Sequence, residues 1–86
     1  MAITLVTPIK QRQVEAYFKA LRDEGVDITH ISSPEWAGIS VRIGLRVGIL
    51  TGATEDEALD ITPRENMAAW KALNDALSEA LEIPKN

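Results

Sequence analysis

Four carboxylates crowd one short stretch of the chain: Glu55, Asp56, Glu57 and Asp60. Paired carboxylates can divide acid and base work when burial drives their pKa values apart. Here they follow Thr54 in the Thr-x-x-Glu order of a capping box, where acids complement the positive end of a helix. They also lack the D-x-[DN]-x-[DN]-G order of a calcium loop. A structural role is therefore expected for them. His30 is the only histidine and has Asp27, Ser32 and Ser33 near it in sequence. A triad needs its members assembled in space, and a lone histidine in a linker reads as a surface or capping residue. Gly48, Thr51 and Gly52 have neither the glycine spacing nor the lysine of a phosphate loop. No residue is assigned a catalytic, metal-binding or cofactor-binding role, and no cofactor is expected.

Residues suited to holding a partner are easier to find. Arg42 and Arg46 are four apart and share one face, where they suit an acidic helix or a phosphate as well as a solvated surface. Trp36 and Trp70 are the largest side chains, and tryptophan serves as core filler or as an interface anchor. Ser40, Gly44 and Gly48 fall at i, i+4 and i+8, a small-residue seam that another backbone can approach. Trp36, Val41, Arg42, Leu45 and Arg46 are the expected partner-binding residues. They place an arginine pair beside a second aliphatic stripe that one copy of the chain would struggle to cover, so a homo-oligomer is expected.

Composition narrows the classes further. The chain has 86 residues, 9 Lys+Arg against 13 Asp+Glu, a net charge of -4 and 45% apolar residues. That suits one small domain over residues 1–86. The absence of cysteine removes disulfides, zinc knuckles, iron–sulfur clusters and thiol chemistry. The longest apolar run, Met67 to Trp70, is four residues, against the ~20 a membrane span needs. The start of the chain has no basic residues followed by an apolar stretch, so no signal peptide is expected. Nucleic acid is not expected as a partner, because the basic residues form no concentrated stripe. Charge alternates in blocks: +3 over residues 1–22, -4 over 23–35, +2 over 36–54 and -5 over 55–86. Opposed blocks can face one another within a chain or between chains, and set register more than affinity.

The elements that must position these residues are mainly helical. Thr7-Pro8 resembles an N-cap with proline in the first position. Val14, Phe18 and Leu21 follow at helical spacing, and Gly25 suits the left-handed end; a helix over 8–24 is predicted. Ser32 or Ser33 with Pro34 repeats the signature and predicts a helix over 34–50. That stretch also alternates like a strand from Ile39 to Ile49, and its interior glycines weaken either form. The Ser-Pro start favours helix, with Thr51-Gly52 as its end. A short helical turn is predicted near 55–59. Thr62-Pro63-Arg64-Glu65 opens a helix over 63–82, with Met67, Trp70, Leu73, Leu77 and Leu81 as its stripe and Pro84 as its stop. Short extended segments are expected at 3–6 and at 26–31; the latter reads equally as a loop that drops Val26, Ile28 and Ile31 into the core. The expected fold is a small all-α domain of three main helices.

Several strings of this sequence are familiar together. Pro8-Ile9-Lys10-Gln11 opens a helix carrying Val14-Glu15-Ala16-Tyr17-Phe18. Ala37-Gly38-Ile39-Ser40-Val41-Arg42 runs on to Gly48-Ile49-Leu50. After an acidic turn come Ile61-Thr62-Pro63-Arg64-Glu65 and an ending of Ile83-Pro84-Lys85-Asn86. In this order the chain resembles the small tail assembly chaperones of long-tailed bacteriophages. The resemblance implies a helical, non-enzymatic protein of the host cytoplasm that binds the tape measure protein and recruits tail tube subunits. A second reading rests on the -5 block alone: an acidic inhibitor or regulator that occupies a basic surface of a host or competing protein.

Overall fold

A computed structural model describes residues 3–25 and 33–81. The chain is mainly helical, with a two-stranded ribbon. It runs β1 (Thr4–Leu5), α1 (Gln11–Asp23), α2 (Ser33–Val47), β2 (Leu50–Thr51), α3 (Glu55–Ala58) and α4 (Pro63–Ala80). The segment 26–31, and with it His30 and Ser32, lies outside the described residues.

α1 starts three residues later than the Thr7-Pro8 signature predicts. The Val6 N–H still donates to the Ile49 carbonyl at 2.8 Å, so the chain runs beside β2 up to that point. The cap is built from Lys10 and Gln13: the Lys10 N–H donates to Gln13 Oε1 at 2.9 Å. Val14, Tyr17 and Leu21 face the core. Phe18, predicted to lie on that stripe, is 40% exposed. Its ring meets Tyr17 edge-on, with centroids 5.2 Å apart and planes at 85°. The helix ends at Gly25, whose φ of +67° costs glycine nothing and other residues a steric clash.

α2 is the central element and confirms the helical reading of residues 34–50, with a correction at its end. It stops at Val47, and the cause is Gly48 rather than Thr51-Gly52. Gly48 has φ +86°, and the Ile49 N–H reaches back to the Gly44 carbonyl at 3.0 Å, the long bond of a Schellman ending. Leu50 and Thr51, the former assigned to this helix, pair antiparallel with Leu5 and Thr4. The extended segment expected at 3–6 is therefore real and centres on β1.

Strand-like alternation and helix coexist in α2 because the helix is covered on several sides. It packs against α1, α3, α4 and β2, and a helix surrounded in this way is apolar nearly all round. Ala37, Ser40, Val41 and Ile43 are buried on it, and Ile49 and Leu50 follow inside. Each fully buried large aliphatic side chain contributes ~1.5–3 kcal/mol relative to exposure.

The small-residue seam is filled from within the same chain. Ser40 faces Tyr17. A Cβ at Gly44 would sit 2.9 Å from Leu50 Cδ1 and 3.4 Å from Leu73 Cδ2. A Cβ at Gly48 would sit 3.3 Å from Gln13 Nε2. The apolarity of α2 and its seam are thus satisfied without a second copy.

Both threonine signatures start their helices as predicted, but only Thr54 closes a reciprocal capping box. Thr54 and Glu57 form the reciprocal box: the Glu57 N–H donates to Thr54 Oγ1 at 3.1 Å, and the Thr54 N–H to Glu57 Oε1 at 2.9 Å. At Thr62 the hydroxyl accepts from the Glu65 N–H at 3.2 Å and donates to the Glu65 carboxylate at 3.1 Å. Ala69, Leu73 and Leu77 form the buried line of α4. The stripe's ends, Met67 and Leu81, are 39% and 38% exposed.

Candidate functional site

The five predicted partner-binding residues do not converge on one surface. Val41 has no exposed area and belongs to the core cluster with Tyr17, Leu73 and Leu77; a side chain with no surface cannot touch a partner in the folded chain. Leu45 is half-buried against the same cluster. Trp36, Arg42 and Arg46 reach the surface at three different places.

Arg46 closes an ionic cluster. Its guanidinium donates to Glu55 Oε1 through Nη2 at 2.8 Å, and through Nε to both carboxylate oxygens at 3.2 Å. Glu24, after α1, lies 3.4 Å from the same Nη2. One cation from the +2 block therefore joins acids from the -4 and -5 blocks, and the alternating charge pattern meets here inside one chain. The Arg46 hydrogen bond holds the Glu55 carboxyl below the ordinary carboxylate range, against the opposing effect of partial burial. The same bond to Glu55 pushes the Arg46 pKa up. Both side chains are over one-third exposed, so the pair is screened and stabilises by no more than ~1 kcal/mol. Its geometry ties α2 to α3 and to the end of α1.

Trp36 lines an apolar groove of about 400 Å³, bounded by Tyr17, Phe18 and Leu21 of α1 and by Leu77 and Leu81 at the end of α4. Phe18 and Leu81 are the exposed members. Asn74 and Ser78 provide its polar edge. The groove follows from adjacency: in α1 Tyr17 turns inward, so the next residue, 100° round the helix, must turn outward.

Arg42 lies on the opposite flank of α2 and lines a smaller hollow of about 250 Å³ with Gly38, Leu59, Ile61 and Met67. Its Nη1 would sit 3.2 Å from a Cβ at Gly38, so the guanidinium is folded back along the helix where glycine leaves room. Among the described residues, no carboxylate lies within 4 Å of it. Leu59, 61% exposed, was not among the expected contact residues. Its signal was present: α3 buries Ala58, so the next residue faces away.

Trp70 is half-buried against the core, and its Nε1–H is enclosed without an acceptor among the described residues. Among those residues no group of three or more His, Cys, Asp or Glu is placed to hold a metal ion, and no helix is long and apolar enough to cross a membrane. Of the four acids, Glu57 closes the cap of α3 and Glu55 pairs with Arg46, and none of the four is buried. Comparison with protein-family models, curated proteins and solved structures finds no match to this chain.

Proposed function

We propose that this chain is a non-enzymatic protein-interaction factor that acts in bacteriophage tail assembly in the host cytoplasm. The supporting observation is the Trp36 groove. An aromatic floor with exposed Phe18 and Leu81 at its rim suits the apolar face of a partner helix, the arrangement in which such side chains anchor binding. The resemblance to tail assembly chaperones supplies the partner class: tape measure protein, with tail tube subunits recruited to it. Trp36 is the anchor in this reading. Val41 has no part in it, and Arg46 serves the fold.

The test is co-expression of the chain with the tape measure protein encoded beside it, followed by co-purification and titration. A stable complex that weakens at least tenfold in Trp36→Ala, and again in Leu81→Ser, is the expected result. No complex, or one indifferent to both variants, would overturn the reading. So would a genome neighbourhood without a tape measure gene.

A further inference from the structure

The Arg42 face carries both halves of a contact. One half is the hollow: Gly38, Leu59, Ile61 and Met67 give it apolar walls, and Arg42 gives it a cation that Glu55 feels at longer range but that has no carboxylate of the described residues within 4 Å. The other half is a knob that rises from the hollow's own wall. Leu59 is the most exposed large hydrophobic residue described, at 61%, and Asp60 follows it with no cation of the described residues within 4 Å. At about 250 Å³ the hollow is below the ~300–1,000 Å³ usual for small-molecule pockets, and is on the scale of inserted side chains.

A surface that presents a leucine–aspartate knob beside an apolar hollow with an arginine is complementary to itself. A two-fold axis repeats every such contact, since residue i meets residue j and j meets i. We propose that this face is an isologous dimer interface. Leu59 of each copy enters the hollow of the other beside Met67 and Ile61, and Asp60 of each copy pairs with Arg42 of the other. Arg46 cannot take the place of Arg42, because Glu55 and Glu24 already occupy it. Glu57 does not compete for Arg42, because its carboxylate is bonded to the Thr54 N–H. The interface is separate from the Trp36 groove, so the dimer and the groove's partner can be held at once.

Sedimentation velocity of the full chain, loaded from micromolar to millimolar, tests this. The wild type is expected to move toward twice its 9.4 kDa mass as concentration rises. Leu59→Lys, Arg42→Glu and Asp60→Arg are each expected to weaken the dimer tenfold or more. Leu59 and Asp60 are exposed, so these two variants keep the fold; an unchanged far-UV helical signal checks it for all three. Arg42→Glu and Asp60→Arg combined in one chain should dimerise again. An equimolar mixture of the two single variants should form a heterodimer, because both pairs are restored across it. A wild type that stays monomeric throughout overturns the proposal. So does a dimer indifferent to Leu59→Lys, a dimer lost only in Trp36→Ala, or the absence of recovery in the mixture.

Discussion

The Gln13 side chain donates to the Gly48 carbonyl at 3.2 Å through Nε2, while its Oε1 accepts from the Lys10 N–H at 2.9 Å. One residue thus closes the start of α1 and the end of α2. Two helix ends leave unpaired backbone groups of opposite kind, donors at one and acceptors at the other. A primary amide is the side chain that carries both complements. Gly48 permits the approach because it has no Cβ.

Removal of this bridge should therefore cost more than an ordinary surface substitution. Gln13→Ala is expected to destabilise the chain by about 1–2 kcal/mol, combining a lost cap with a lost interhelical bond. In a domain of this size that lowers the melting temperature by roughly 4–8 °C per kcal/mol. Gln13→Glu keeps the acceptor for Lys10 and loses the donor to Gly48. It should not recover the wild-type midpoint in urea unfolding. Full stability in either variant would show that water replaces the amide.

Gly44 is a position where helix propensity and packing disagree. Alanine there gains ~1 kcal/mol of propensity. Its Cβ, however, would lie 2.9 Å from Leu50 Cδ1 and 3.2 Å from Leu50 Cγ, and Leu50 is buried at 2% exposure with little room to move. Overpacking costs typically ~1–3 kcal/mol, so Gly44→Ala is expected to be net destabilising. Leu50→Ala opens space at the same point. The double variant should be less destabilised than the two single effects added together, a coupling read directly by a double-mutant cycle. Strict additivity would mean that the two side chains do not share the space.

The legibility of the sequence follows the same physical lines. Thr54 and Thr62 announce α3 and α4 because their signatures are local: cap, acid and proline act within one turn. Thr7-Pro8 carries the same letters, yet there the chain is committed to Ile49 across the sheet, a contact distant in sequence. Gly44 and Gly48 are the same residue four apart, and only the second adopts a positive φ, so the end of α2 was not readable. Val41 was misplaced for a related reason. Its stripe looked unpartnered on one helix, while α1, α3, α4 and β2 pack around α2 and leave Val41 no exposed area. Arg42 and Leu59 were both visible as letters, but the hollow they line together depends on how α2 meets the α3–α4 turn.

The Arg46–Glu55 pair sets a pH dependence whose sign is fixed by the direction of the shift. Glu55 has a folded-state pKa below its ordinary value. Its contribution is present above the unfolded carboxyl pKa, ~4.3, and is lost as pH falls through the folded value. Because both partners are substantially exposed, the effect after screening is ~1 kcal/mol at most. Stability measured at pH 7 and at pH 3 should fall less in Glu55→Gln than in the wild type, and the gap at pH 7 should narrow in high salt. Equal acid sensitivity in both proteins would assign it to other carboxylates.

Ser40 and Tyr17 oppose one another at the point where α1 crosses α2. Ser40 has no exposed area, and its Oγ has no hydrogen-bond partner among the described residues. The Tyr17 phenol feels the Ser40 hydroxyl, which lowers its pKa slightly, but the pair does not reach hydrogen-bond geometry. Burial dominates and pushes the Tyr17 pKa up from its ordinary value. Two consequences are expected. Ser40→Ala removes a buried, unsatisfied hydroxyl with almost no change in volume, so it should be neutral or stabilising by up to ~1 kcal/mol. The raised Tyr17 pKa gives a stability term that is complete below the unfolded value of ~10 and lost as pH rises through the folded one. Alkaline unfolding should therefore be steeper in the wild type than in Tyr17→Phe. The two variants check each other. If the hydroxyls were bonded, Ser40→Ala would destabilise by about 1–3 kcal/mol through the orphaned phenol, and Tyr17→Phe would cost a similar amount at neutral pH. An unbonded pair predicts the opposite ranking, with Ser40→Ala the more stable of the two variants. Urea midpoints at pH 7 distinguish the cases without any titration.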